Sequence, residues 1–259
     1  TTRIRILNVL GRLADESPEE KDYIAEWVAR QNNLNQTTEQ VDLQVLTAAV
    51  RALGELGDPV AFGPVLDVIL LQYPQFVTSE ARSSLARLDG NRREMAAEVL
   101  RRKPVIDKGP AFSFFMGDDY IPEDEKAPLA LTTMNIALNV RPQNAQEQEA
   151  ARQLRFAAAA ILRENSYSQA TTAVIRHFNE TVLEFDRGQT TRNRLLEAIA
   201  ALGSMGSEPA AIRLTDYLEL LNTYTEQDRP FETQIVLAVI RNLEILDYPG
   251  SYNALFMTT

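Results

Sequence analysis

The residues with the clearest chemical potential are a single histidine and a carboxylate close to it. His177 is the only histidine in the chain, and Glu180 follows it within one helical turn. That spacing places both side chains on one face of a helix. A histidine and a glutamate make only part of a zinc site, which takes three or four protein ligands. We therefore expect no metal here, and a half-exposed helical histidine instead.

The densest acidic cluster follows an aromatic stretch in the middle of the chain. Its carboxylates could hold a hard cation, and they belong to Asp118, Asp119, Glu123, Asp124 and Glu125. The cluster lacks the alternating ligands and the central glycine of an EF-hand loop. We therefore do not expect a calcium site.

Other catalytic signatures are missing. The chain contains no cysteine, which excludes disulfides, thiolate metal sites and cysteine nucleophiles. A histidine-based triad could use only His177, and no Gly-x-Ser-x-Gly or Gly-x-x-x-x-Gly-Lys motif occurs. Paired carboxylates for glycoside hydrolysis stay open, although no aromatic subsites are recognisable. We expect no catalytic residue, no cofactor and no enzymatic activity.

Charge and hydropathy narrow the range of partners. The formal net charge is −10, whereas strong nucleic-acid binders need a lysine and arginine footprint. No stretch approaches the ~18 apolar residues of a membrane span. We expect neither a nucleic-acid partner nor a membrane span. The absence of cysteine is compatible with cytoplasmic and exported proteins alike, so the compartment stays open.

The elements that would carry these residues are helices in a repeating pattern. The motif Leu-Gly-x-apolar-Gly occurs at 53–57 and again at 202–206. Weaker copies and one helical match extend the series, whose leading residues are Leu10, Leu53, Leu85, Ile161, Leu202 and Leu243. Most recur at about 40 residues, with about two repeats between Leu85 and Ile161. Gly57, Gly90 and Gly206 lie where a helix end favours a left-handed residue.

Segments 45–71 and 194–221 resemble HEAT repeats, including the HEAT-like units of bacterial phycobilisome-lyase-related proteins. The resemblance implies an all-α fold, an α–α superhelix or HEAT-like solenoid of about five to six helical hairpins. Residues 1–103 and 129–259 would be the N-terminal and C-terminal repeats of one continuous solenoid. HEAT-type metal hydroxylases carry repeated His-Glu pairs, which are absent here.

Residues 104–128 depart from this pattern, because prolines and glycines interrupt the helical period. We predict an irregular aromatic and acidic insertion there. Its aromatic side chains are Phe112, Phe114, Phe115 and Tyr120. One interpretation is a loop that lines or blocks a groove of the solenoid. The favoured alternative is an insertion whose phenylalanines fill the core.

A solenoid without catalytic motifs is by default a docking surface for another polypeptide. We therefore predict a non-catalytic scaffold that binds a protein or peptide on the concave face. The second helices of the hairpins would line that face with mixed charges, at Asp67, Arg176, Glu180, Arg213, Asp216 and Glu219. Aromatic residues often anchor interfaces, so the four aromatic side chains of 104–128 are candidate anchors beside this groove.

The alternative function is a HEAT-like enzyme or accessory protein, either a DNA-base glycosylase or a bilin-lyase-like protein. A glycosylase would need a basic groove, and the net charge of −10 argues against one. Both ends of the chain are apolar, whereas the terminal repeats of a complete solenoid turn a polar face outward. We therefore expect an excised fragment whose ends contact further repeats or other chains.

Overall fold

A computed structural model describes residues 2–12, 18–36, 41–117, 120–227 and 232–258. Within these ranges 83% of the residues are helical and there is no strand. The expected all-α fold is therefore confirmed. The described residues form 14 α-helices, and they divide into two compact units.

The first unit comprises the residues up to Val99 together with Tyr120. Its helices are α1 (Thr2–Arg12), α2 (Pro18–Gln36), α3 (Leu43–Leu56), α4 (Phe62–Leu70), α5 (Gln75–Arg87) and most of α6 (Arg92–Arg102). Helix α3 packs between α1 and α5, while α2 packs against α4. Alternate helices therefore stack on each other, as expected for repeated helical pairs.

Local capping explains where α3 begins and ends. The Asp42 carboxylate accepts hydrogen bonds from the backbone N–H groups of Gln44 and Val45, at 3.1 and 3.2 Å. Gly57 ends the helix with a φ of 69°, which glycine adopts without the steric cost that other residues meet. The predicted left-handed conformation is confirmed here and at Gly90 and Gly206.

The second unit comprises 100–117 and the residues from Ile121 onward. After the end of α6 it contains α7 (Val105–Gly117), α8 (Glu123–Leu138), α9 (Ala145–Glu164), α10 (Thr171–Asp186), α11 (Arg192–Gly203), α12 (Glu208–Glu226), α13 (Thr233–Leu246) and α14 (Tyr252–Phe256). Helices α7, α9, α11 and α13 pack in succession, and so do α8, α10, α12 and α14. The second unit therefore has two rows of alternating helices, a first row of α7, α9, α11 and α13 and a second row of α8, α10, α12 and α14.

The prediction of an irregular segment at 104–128 is wrong, because this region supplies α7 and the first part of α8. Pro110 and Pro128 lie inside these helices. A proline inside a helix costs about 3 kcal/mol. Burying a phenylalanine or methionine side chain contributes about 1.5–3 kcal/mol, and Phe112, Phe115 and Met134 are all buried. Tertiary packing therefore outweighs the local signal that proline provides.

Lys108 connects α7 to the end of α6. Its buried ammonium group donates hydrogen bonds to the carbonyl oxygens of Leu100, Arg101 and Lys103, the last two at 3.0 and 2.6 Å. These carbonyls lie at a helix C-terminus, where backbone acceptors lack partners within the helix. Burial, and then the charge of Lys103, lower the pKa of Lys108 below its usual value.

Candidate partner-binding surface

Helices α10 and α12 are neighbours in the second unit, and each carries an exposed stripe. On α10 the stripe includes Arg176, Glu180 and Leu183. Their spacing of four and three residues keeps them on one side of the helix. The second-row helices therefore turn charged and apolar side chains to solvent together.

The stripe on α12 has the same character. Its exposed residues are Ile212, Asp216, Glu219 and Leu220. Four of the residues predicted to bind a partner are thus exposed on these two adjacent helices, namely Arg176, Glu180, Asp216 and Glu219. The spacing of apolar residues was enough to find them, since they occupy the positions between buried ones.

Arg213 differs from these residues because it is half-buried between the two helices. Its Nε donates a hydrogen bond to Asn179 Oδ1 at 2.7 Å. Its guanidinium lies 5.0 Å from the centre of the Phe178 ring. Burial lowers the pKa of Arg213 below its usual value. Arg213 therefore joins α12 to α10, and only part of it remains available to a partner.

A groove lies along α8 in the same unit. It is shallow and open to solvent, with a volume of about 520 Å³, and the residues along it include Arg101, Thr132, Asn135, Ile136 and Asn139. Arg176 Nη2 donates to Asn139 Oδ1 at 3.4 Å, which connects the groove to the α10 stripe. The asparagines were not predicted as site residues, because an isolated polar residue on a helix gives no sequence signal.

The aromatic residues of 104–128 mostly contribute to the core. Phe112 and Phe115 are 2% and 0% exposed. Phe114 is half-buried and meets Phe115 edge to face, with ring centres 5.7 Å apart. Their use as exposed anchors is therefore wrong for Phe112 and Phe115. The alternative, in which phenylalanines fill the core, is confirmed for these two residues.

Tyr120 and Asp67 belong to the first unit. Tyr120 is 7% exposed, so it too is unsuitable as an exposed anchor. It stacks on Phe62 at 5.4 Å, and Arg92 donates a 3.2 Å hydrogen bond to its carbonyl oxygen. Burial raises the pKa of Tyr120 to about 12. Asp67 is half-buried on α4.

The sequence predicted a half-exposed His177, and this prediction is wrong. His177 lies beneath the surface of the second unit. It is 0% exposed, and neither ring nitrogen has a hydrogen-bond partner among the described residues. Its ring meets Phe156 edge to face at 4.7 Å. Burial lowers the pKa of His177 well below its usual value, with Arg155 and Arg194 adding to the effect.

Within the described part of the chain, no group of three or more His, Asp or Glu side chains is arranged to hold a metal ion. Asp118 and Asp119 of the acidic cluster lie outside the described residues. Among the described helices, none is both long and apolar enough to cross a membrane. Comparison with protein families, curated proteins and solved structures finds no match to this chain.

Proposed function

We propose that this chain is a non-catalytic scaffold of HEAT-like helical pairs that binds a protein or peptide partner. The partner lies across α10 and α12 and reaches the groove along α8. Support comes from the alternate packing of helices within each unit, the arrangement that repeated pairs require. The same arrangement places the second-row helices α8, α10 and α12 side by side in the second unit.

The exposed apolar side chains within the charged stripes are the observation that carries the proposal. Leu183, Ile212 and Leu220 are 47%, 42% and 41% exposed. Charged neighbours surround them on the same helices, including Glu180 and Asp216. Protein interfaces combine apolar contacts with a polar rim in this way.

Hydrogen bonds between the helices also favour partner binding. The Arg213–Asn179 and Arg176–Asn139 hydrogen bonds link α12 to α10 and α10 to the end of α8. A surface held in one arrangement loses less conformational entropy when a partner binds. The mixed charge of the stripes suits a polypeptide better than a phosphate backbone, which requires concentrated positive charge.

The experiment first identifies a partner by affinity capture and then measures its dissociation constant with purified proteins. A triple variant, Arg176→Ala, Glu180→Ala and Asp216→Ala, should bind at least about tenfold more weakly. Its melting temperature should stay nearly unchanged, since exposed charges contribute little to stability.

A double variant, Arg163→Ala and Glu164→Ala, is the matched control, because both residues are exposed on α9 in the other row. It should bind like the unmodified chain. If the triple variant bound the purified partner with unchanged affinity, the proposed surface would be incorrect.

A further inference from the structure

A second polar pocket lies on the other row of helices, between α9 and the start of α11. Its volume is about 190 Å³, below the ~300–1,000 Å³ of pockets that hold drug-sized ligands. The pocket therefore has room for a small ion or a single polar group. Its residues lie outside the α10 and α12 stripes, so it is separate from the proposed partner surface.

The lining of this pocket is rich in hydrogen-bond donors. Arg152 and Arg194 supply guanidinium groups, and Gln153 and Gln189 supply side-chain amides. Thr191 also lines the pocket and is the N-cap residue of α11. Guanidinium groups bind oxyanions in bidentate geometry. A helix N-terminus adds favourable electrostatics to these groups.

Beside the pocket, one glutamate pairs with two arginines. Arg152 and Arg155 have side chains only 15% and 8% exposed, and both pair with Glu184, at 3.3 and 2.6 Å. Glu184 is itself 14% exposed. The Glu184 carboxylate is therefore shared between the buried Arg155 and the half-buried Arg152.

The other carboxylates nearby are much more exposed. Glu149 pairs with Arg152 at 2.6 Å and is 51% exposed. Glu197 pairs with Arg194 at 2.8 Å and is 48% exposed. Pairs of this kind, within one turn of a helix and open to solvent, contribute little. A bound anion can therefore compete with both carboxylates for the arginines.

The Phe156 ring lines the pocket and contacts two arginines and His177. The Arg194 guanidinium lies 4.6 Å from the centre of the Phe156 ring, and Arg155 lies 5.7 Å from it. His177 packs against the same ring. Burial, and then the charges of Arg155 and Arg194, lower the pKa of His177.

We propose that this pocket binds a small oxyanion of the phosphate class, held by Arg152 and Arg194 and by the polar groups around them. The anion takes the place of the half-exposed Glu149 and Glu197 carboxylates as the partner of these arginines. Glu149 lies at the pocket and weakens the site by competing for Arg152. This site does not depend on the proposed scaffold function, and the isolated chain is enough to test it.

The test is calorimetric titration of the full 259-residue chain with inorganic phosphate at constant ionic strength. We expect saturable binding to one site. Arg194→Met should weaken it about tenfold or more, because a charge-assisted hydrogen bond is lost. Glu149→Gln should tighten binding about two- to fivefold, because a weak competing pair is removed. A merely structural role for Glu149 would not produce tighter binding.

Arg163→Met is the matched control, since Arg163 is exposed on α9 and does not line the pocket. It should bind phosphate like the unmodified chain, and circular dichroism should show that all variants remain folded. A parallel titration with phosphoserine distinguishes the free ion from a phosphoryl group on a larger molecule. The proposal is overturned if neither probe binds saturably, or if Arg194→Met and Arg163→Met behave alike.

Discussion

At the scale of single residues, His177 is a polar side chain that the fold buries without a hydrogen-bond partner among the described residues. A buried polar group that lacks a partner costs about 1–3 kcal/mol. Glu180, three positions after His177 on the same helix, is instead exposed. The two residues that the sequence brought together as a possible metal pair therefore lie in different environments.

We predict that His177→Leu stabilises the chain, and more so in mild acid. A histidine in the unfolded chain has a pKa of about 6.5, and burial lowers the pKa of His177 in the folded chain. The unfolded state therefore binds more protons, so folded-state stability is retained above that pH and falls as the pH drops below it. The free energy of unfolding then decreases by up to about 1.4 kcal/mol per pH unit. The leucine variant does not lose this stability, because leucine binds no proton.

The measurement is urea unfolding of the unmodified chain and of His177→Leu at two pH values. One is neutral, and the other lies about one and a half pH units below the pKa of free histidine. The stability gap between them should widen by about 1–2 kcal/mol in acid. Since His177 is the only histidine, no other imidazole contributes. Identical pH profiles for the two proteins would show that His177 is not held neutral by burial.

At the scale of elements, the glycine that follows the leading leucine of the motif permits close packing of helices. A Cβ atom placed on Gly54 would lie 2.7 Å from the Cα atom of Ser84 on α5. A Cβ atom on Gly203 would lie 2.7 Å from the Cβ atom of Asn242 on α13. The first glycine of each motif therefore permits close contact between alternate helices, whereas Gly57, the second glycine of the first motif, ends α3.

We predict that Gly54→Ala destabilises the first unit, because the added methyl group forces α3 and α5 apart. Overpacking of this kind typically costs about 1–3 kcal/mol. Gly117→Ala is the control, since that position has open space around it and alanine favours helix. Denaturant unfolding should show a loss only for Gly54→Ala. Equal stability of the two variants would contradict the close approach of α3 and α5.

At the scale of the whole molecule, the charge distribution bears on the alternative function. The chain has 26 lysines and arginines against 36 aspartates and glutamates. The densest basic run ends α6, with Arg101 and Arg102 in its last turn, where cations interact favourably with the helix dipole. Arg92 is engaged with Tyr120. These contacts provide structural roles for Arg92, Arg101 and Arg102.

We predict that the chain does not bind duplex DNA at physiological salt. Non-specific DNA binding depends on neutralising phosphates and typically has dissociation constants of about 10⁻⁴–10⁻⁶ M. A net charge of −10 opposes it. Fluorescence anisotropy of a labelled duplex, measured across a salt series, provides the test. Binding that weakens steeply with salt would favour the glycosylase-like alternative over a polypeptide scaffold.

The sequence by itself determined the helical class and several of the buried positions within each unit. Leu53, Leu85, Leu202 and Leu243 lead their repeats and are all buried on α3, α5, α11 and α13. These features follow from local rules, because helical spacing sorts apolar from polar positions. Left-handed glycines likewise mark helix ends, as Gly57 does. The interval of about two repeats between Leu85 and Ile161 contains the additional helices α7 and α8.

Only the tertiary structure decided which polar residues are exposed and which prolines lie inside helices. Arg213 and Arg176 have similar local signals, yet Arg213 is half-buried against Asn179 and Phe178. His177 is buried by Phe156 from another helix. Pro110 lies inside α7 because the burial of Phe112 and Phe115 stabilises this helix. Burial depends on helices distant in sequence, which residue spacing along one helix does not specify.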